Sequence, residues 1–328
     1  MAHSGFNHVW YAYQKSSFGL SPAHIIEILQ IKFDFKSQLS IFKIEFITLA
    51  TMYKVGLFIF YIFSIFPLVG WAQGSLFIIG GGDRPPKMMQ RMIAEAKLQS
   101  HDHIAILTMS SANPDTSYKY IVDDIRPYAA HVIAKLHFTR ADVNNKNKLD
   151  SVRKAKLLFI TGGVQTRFMN IVWNTPVFKA IHEAYDRGAM IAGTSAGAAV
   201  MSEIMITGDQ IRADTLYEGA VDRITPGNME TKPGLGFLHN TIIDQHFIVR
   251  SRYNRVLTLL SQYPGKMAVG IDEDTAILVR RNNAEVVGNS QVVVFRNQKN
   301  LPLADNKPRF KNMKMSLYGN GDRFKIWE

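Results

Sequence analysis

The chain has 328 residues, 47% of them apolar and 20% charged, enough for one large or two modest domains with a sizeable core. It contains no cysteine, which excludes a disulfide framework, a thiolate zinc site and a cysteine nucleophile together. The formal net charge is +11, but no lysine-rich run or nucleic-acid-binding motif accompanies it, so the excess points to an anionic substrate and not to nucleic acid.

The first 72 residues stand apart. Met52-Tyr53-Lys54 is a short start with one positive charge, Val55 to Val69 is an uncharged apolar run, and Gly70-Trp71-Ala72 places small residues three and one before a cut after Ala72. That is the layout of a secretory signal peptide over 52–72, and it predicts a secreted or periplasmic protein with no stable membrane insertion after cleavage. The run is short for a membrane span and holds Pro67, which makes an uncleaved anchor the weaker alternative. A signal peptide should open a chain, so residues 1–51 read as a mis-assigned extension and Met52 as the true start. Without 1–72 the chain keeps 33 basic and 24 acidic side chains, so the positive balance survives trimming.

From Gln73 onward apolar runs alternate with amphipathic segments. Ser75–Ile79 reads as a buried strand ended by Gly80-Gly81-Gly82. Pro85-Pro86 opens a helix to about Leu98, with Met88, Met89, Met92, Ile93 and Ala96 on one stripe that reads as core. His103–Thr108 is a second strand, Asp115 to about Tyr128 a helix, His131–Phe138 a third strand, and a short helix ends near Ala155. Lys156–Ile160 is a fourth strand, ended by Thr161-Gly162-Gly163, and a helix follows from about Thr175 to Arg187. Ala189–Ala192 is the next strand, and strands are expected near Thr241–Ile243, Met267–Ile271 and Thr275–Val279, with a helix over Ser251–Gln262. The C-terminal part reads as a meander in which Gly288-Asn289 turns Glu285–Val287 into Gln291–Phe295. Such alternation predicts an α/β fold with a mostly parallel central sheet covered on both faces, its ligands at the carboxyl ends of the strands. The triple glycine lacks the Gly-x-Gly-x-x-Gly spacing, so it does not read as a dinucleotide site. No repeat or low-complexity linker breaks residues 73–328, which read as one domain.

Gly193-Thr194-Ser195-Ala196-Gly197 has the spacing Gly-x-Ser-x-Gly between a strand and a helix start, the layout of a nucleophile elbow. There the serine takes a strained backbone and exposes its hydroxyl, while a helix N-terminus offers free N–H groups and partial positive charge to an oxyanion. By itself the pentapeptide fits a plain Gly/Ser turn equally well. A serine needs a base, usually a histidine oriented by a carboxylate. Of ten histidines, His101 and His103 sit at a strand start and His182 on a helix, whereas His246 closes a strand beside polar residues, where a base belongs. Glu273, in a turn between two strands, is the candidate acid. Ala196 and either Gly162 or Gly163 are the candidate oxyanion donors. Arg250, Arg252 and Arg255 follow the base, the latter two spaced i, i+3, and can clamp carboxylates. Placing them at a helix N-terminus opposes the helix dipole, which calls for a compensating partner or ligand.

Six stretches taken together resemble the cyanophycinase family of serine peptidases, relatives of aspartyl dipeptidase. They are Phe77–Gly82, Ile160–Gln165, Gly193–Ala198, Asp244–Phe247 with the arginines after it, Gly270–Ala276 and Gly321–Phe324, in the family's order. The resemblance covers residues 73–328 and implies a three-layer, class I glutamine-amidotransferase-like sandwich. It implies Ser195 as nucleophile, His246 as base and Glu273 as orienting acid. It also implies a substrate pocket of Gln165, Asp244, Gln245, Arg250, Arg252 and Arg255, in which arginines hold an aspartyl carboxylate and Asp244 meets a substrate guanidinium. The expected reaction is hydrolysis of cyanophycin, a poly-aspartate bearing arginine on each side chain, to β-Asp-Arg dipeptides through a serine ester. Homodimers are implied, and no metal or cofactor. The alternative is a secreted dipeptidase or isoaspartyl peptidase for other Asp-X or β-aspartyl peptides, which should not need all three arginines. An α/β-hydrolase esterase is disfavoured because no histidine follows His246.

Overall fold

The computed structural model describes residues 73–212, 221, 223–296 and 299–326. The expected signal peptide at 52–72 and the extension at 1–51 lie outside the described residues. In the first half each apolar run becomes a strand and each amphipathic stripe a helix: β1 (Ser75–Ile79), α1 (Pro86–Ala96), β2 (His103–Leu107), α2 (Pro114–Ile125), β3 (Val132–Leu136), α3 (Lys146–Lys154) and β4 (Leu157–Ile160). After them come α4 (Gln165–Val172), α5 (Pro176–Asp186), β5 (Met190–Thr194) and the single turn α6 (Ala196–Ala199). Proline in the first turn starts α1, α2 and α5, where its missing N–H costs nothing.

Strand order in the main sheet is β16-β11-β10-β1-β5-β4-β2-β3; beyond the five parallel strands, β10 (Thr275–Arg280), β11 (Asn283–Gly288) and β16 (Arg323–Lys325) follow β1, each antiparallel to its neighbour. Because strand side chains alternate, Phe77 and Ile79 point to one face, where Met88, Met89, Met92, Ile121 and Ile125 of α1 and α2 cover them. Leu76 and Ile78 point to the other, against Leu149, Phe168, Met169, Val177 and Ile181 of α3, α4 and α5. Burial on both faces is why these strands are apolar at nearly every position. The chain thus has the three-layer α/β fold with a mostly parallel central sheet that its sequence predicts.

A second sheet, ordered β15-β12-β9-β8, packs on the same side as α3 to α5 through Ile243, Val269, Ile271, Val292 and Val294. Its strands are β8 (Thr241–Gln245), β9 (Met267–Ile271), β12 (Val292–Arg296) and β15 (Lys314–Tyr318), while β6 (Ile204–Gln210) and β7 (Met229–Pro233) pair separately as an antiparallel ribbon. Helix α7 (Tyr253–Gln262) covers its far face with Val256 and Leu260. Here the expected meander is corrected. Strands β11 and β12 do not pair across Gly288-Asn289; β11 lies between β10 and β16, and β12 between β9 and β15. Likewise Asp272–Asp274 links β9 in one sheet to β10 in the other. The two linkers are neighbours, since Asn289 N–H donates to Asp274 O (3.0 Å) and Asp272 N–H to Gln291 O (3.2 Å). Short apolar strands buried on both faces carry no sequence mark of which sheet they join.

Candidate active site

The parallel pairing of β1 with β5 ends at Ile79↔Thr194, which places Gly80 and Ser195 side by side. Ser195 takes φ 52°, ψ −108°, a region that costs a non-glycine residue on the order of 1–3 kcal/mol. Its N–H is held by Ile79 O at 3.0 Å. The flanking glycines are sterically required: a Cβ on Gly193 would stand 2.3 Å from Gly197 O, and one on Gly197 would stand 2.3 Å from Ile160 O. The helix after the elbow is a single turn, Ala196–Ala199, so its dipole is far smaller than a long helix would supply. What it offers an oxyanion is the Ala196 N–H itself, which has no backbone acceptor among the described residues.

His246 arrives from the second sheet. Pairing of β8 with β9 ends at Gln245↔Ile271, so His246 faces the Asp272–Asp274 linker. The Ser195 hydroxyl lies 2.8 Å from His246 Nε2, and His246 Nδ1 lies 2.5 Å from Glu273 Oε1. A carboxylate can only accept, so Nδ1 carries the proton and Nε2 is free to accept from serine. Burial is the largest influence on His246 and lowers its pKa; the Glu273 hydrogen bond raises it, and Arg250 and Arg252 lower it further. The imidazole is therefore neutral near pH 7, as a base must be.

Two further groups hold this assembly, and neither was singled out by sequence reasoning. The Gly80-Gly81 loop accepts N–H bonds from His246 (2.8 Å, to Gly80 O) and Asp274 (2.9 Å, to Gly81 O). The imidazole lies so close to Gly81 that an added Cβ would come within 2.2 Å of Cε1. Asp272, 7% exposed, accepts through Oδ1 from the N–H groups of Ile248 (3.0 Å) and Val249 (2.9 Å), and through Oδ2 from the Ser290 hydroxyl (2.7 Å). It thereby ties the turn after the base to the turn that carries the acid. The available signals were its position beside Glu273 and its place in the resembling stretch Gly270–Ala276.

The six expected substrate-binding residues divide. Asp244 is 1% exposed and paired with Arg255 through Nε–Oδ2 (2.7 Å) and Nη2–Oδ1; Arg255 is itself 4% exposed. Every position of β8 is buried, so an aspartate there needs a cation, and Arg255 in the first turn of α7 supplies it. This corrects two expectations: Asp244 is not open to a substrate guanidinium, and Arg255 is not an open carboxylate clamp. The compensating partner that its helix position demanded is internal. Arg252 donates through Nη1 to Gln245 O (2.5 Å) and Oε1 (2.6 Å), and burial with neighbouring arginines lowers its pKa to about 10. Gln165 donates to Ile206 O (3.0 Å) and Thr207 O (2.6 Å). Arg250 alone of the six is widely exposed, its side chain at 52%, with Nη2 3.8 Å from Glu273 Oε1. Gly162 lies against Ser195, while Gly163 (φ 133°) packs on the Ser110 carbonyl. His182 is stacked between Phe178 and Phe237 beside an open groove near the amino ends of β5 and β8, a packing role. Among the described residues, no group of three or more His, Asp or Glu is placed to hold a metal.

Residues 110–287, which carry the elbow, the base and the acid, match the model of peptidase family S51. This chain belongs to peptidase family S51. It is a serine peptidase, and the family acts on peptide bonds. A cyanophycinase of Geminocystis herdmanii is 31% identical over 193 residues, which cover 56% of this chain and 68% of that protein. A cyanophycinase of Nostoc sp. is 32% identical over 201 residues, covering 57% and 64%. The chain thus spans about two thirds of the length of these relatives. The crystal structure of a peptidase from an acI-B1 Actinobacterium superposes with a TM-score of 0.57 at 20% identity, over 79% of this chain and 100% of that one, and shares the fold.

Proposed function

We propose that this S51 peptidase hydrolyses cyanophycin to β-Asp-Arg dipeptides, with Ser195 as nucleophile, His246 as base and Glu273 as orienting acid. The observation that carries the mechanism is the continuous line from Ser195 Oγ through His246 to Glu273, at 2.8 and 2.5 Å, and the likeness to cyanophycinases supports the substrate. Ser195 Oγ adds to the scissile carbonyl as its proton passes to His246 Nε2. The N–H of Ala196 and one from Gly162-Gly163 receive the oxyanion. His246 then gives its proton to the leaving nitrogen, leaving an ester on Ser195. Water, deprotonated by the same imidazole, adds to the ester, and His246 returns that proton to Ser195 Oγ as the acid is released. Glu273 stays ionised and fixes the tautomer. Arg250, at the mouth, meets a substrate carboxylate. The buried Asp244–Arg255 pair and the Arg252–Gln245 contact form the floor beneath.

A second reading is a dipeptidase or isoaspartyl peptidase for other Asp-X or β-aspartyl peptides. It is favoured by Arg250 being the one widely exposed arginine of the three, since a small substrate needs one clamp. Incubation with insoluble cyanophycin, α-Asp-X dipeptides and isoaspartyl dipeptides separates the two. Release of β-Asp-Arg from the polymer supports the first; turnover of dipeptides alone supports the second. No turnover of any of them removes both. The reading of 52–72 as a cleaved leader, with action on polymer outside the cell, goes with this proposal. N-terminal sequencing of the natural protein tests it, and a peptide recovered from 1–51 overturns the Met52 start.

A further inference from the structure

Far along the chain from the catalytic groups, β13 (Lys299–Ala304) and β14 (Lys307–Lys311) form an antiparallel ribbon. Its turn is Asp305-Asn306, both at positive φ (49° and 55°), the conformation that matches the twist of paired strands. Pairing sorts the side chains. Asn300↔Phe310 faces inward: Asn300 donates to Leu260 O and Ser261 O (3.3 Å each), and Phe310 packs against the cluster that contains Phe247, Val256 and Phe295. Lys299↔Lys311, Leu301↔Arg309 and Ala304↔Lys307 face outward, and all four cations are exposed.

Beside the ribbon runs the edge strand β15. Met315 pairs with Phe295 and Leu317 with Val293, so both point to the side of the sheet on which the ribbon packs. They nevertheless stand 62% and 52% exposed, and Leu303 near the ribbon's turn stands 53% exposed. Between Lys299 and Tyr318 there are five cations and one acid, Asp305; four of the five are the ribbon's outward-facing ones, while Lys314 alternates with Met315 on β15 and points to the other face of the sheet. Among the described residues, none of the five has a carboxylate within ion-pair distance.

We propose that this face is a docking surface for an anionic lipid bilayer. Uncompensated cations and large uncovered apolar side chains on one surface are what a charged membrane interface accepts together: headgroups take the lysines, and the acyl boundary takes Met315, Leu317 and Leu303. A nucleic acid would meet the charge and leave the apolar groups in water. A second copy related by a two-fold axis would set like charges against one another. The contact is peripheral, for among the described residues no helix is long and apolar enough to cross a membrane. The inference goes beyond the proposed catalysis and does not depend on it.

The test is flotation of the full chain with vesicles of phosphatidylcholine alone or mixed with phosphatidylglycerol, across a salt series. The parent is expected to float with the anionic vesicles and to release as salt rises. At roughly fivefold per cation near the surface, Lys307→Glu, Arg309→Glu and Lys311→Glu together should weaken binding on the order of 100-fold. Met315→Ser with Leu317→Ser should weaken it about tenfold or more. Near-UV circular dichroism and peptidase turnover should match the parent in both variants, which separates lost docking from lost folding. Equal flotation with neutral and anionic vesicles, as the apolar stretch 55–69 alone would give, overturns the proposal. So does binding to a DNA duplex at the same affinity that is indifferent to the Met315 and Leu317 changes. A dimer that those changes split, with no vesicle binding by the parent, overturns it in favour of a second copy.

Discussion

The elbow and the turn that carries the acid meet at one point but are built by different means. Gly193–Gly197 is one run of five consecutive residues, two glycines around one strained serine, although Ile160 O and Ile79 O from neighbouring strands hold it in place. The His246–Glu273 side is assembled from two sheets, held by Gly80-Gly81 carbonyls and by Asp272 bridging two turns. A local device can be read from spacing. A device made of carbonyls and crossing strands exists only when both sheets are in place. The two should therefore fail differently, the first by losing chemistry alone and the second by losing geometry.

The largest effect is expected at the elbow. Ser195→Ala should lower turnover by about 10⁴-fold or more with the thermal midpoint little changed, because only the nucleophilic oxygen is lost. Turnover near the parent's would remove the mechanism. Next comes the acid: Glu273→Gln should reduce kcat by roughly 10³–10⁴-fold, because the amide can donate to Nδ1 and stabilise the wrong tautomer. A Glu273→Gln variant as fast as the parent would show that the 2.5 Å contact does not orient the base. Arg255→Ala tests the floor of the site. Leaving the buried Asp244 without its bidentate partner, with only Arg252 Nη1 3.6 Å away, should cost up to about 3 kcal/mol of stability, seen as a lower urea midpoint. A higher KM with unchanged stability would instead restore Arg255 as a substrate clamp.

The smallest effect is in the pH profile. Burial lowers the His246 pKa, so the acid limb of kcat/KM should have its midpoint below about 6.5, the ordinary histidine value. Activity falls as pH drops through that midpoint, because protonated His246 cannot accept from serine. Arg250 is among the groups that lower this pKa, so Arg250→Ala should move the limb upward, while loss of the Glu273 carboxylate should move it downward. A limb at or above the ordinary value in the parent would contradict a buried, neutral base. The same shift contributes stability that is present above about pH 6.5 and lost as pH falls below it.

Much of the first half of the fold was legible because most strands there are short apolar runs, β1, β4 and β5 with glycine close by, and α1, α2 and α5 each carry an apolar stripe opened by proline. The Met88–Ala96 stripe is the core it promised to be. The second half misled at Gly288-Asn289, which has the composition of a hairpin turn but links two sheets. The candidate residues Ser195, His246 and Glu273 could be named from motif and resemblance, and the structure brings their side chains into contact. Asp272 and Gly81 lie inside two of the resembling stretches, but their roles could not be assigned, because neither differs in composition from an ordinary turn residue.

By itself the sequence determined the alternation of strand and helix, the strained serine turn and the excess of positive charge, all of which depend on residues close along the chain. Only the tertiary structure decided which charges remain open. Asp244 and Arg255 lie eleven positions apart and pair because β8 is buried at every position, and the arginine nearest the base in sequence is the one left at the surface. An ion's role is set by its solvation and its neighbours, and those are properties of the packed molecule.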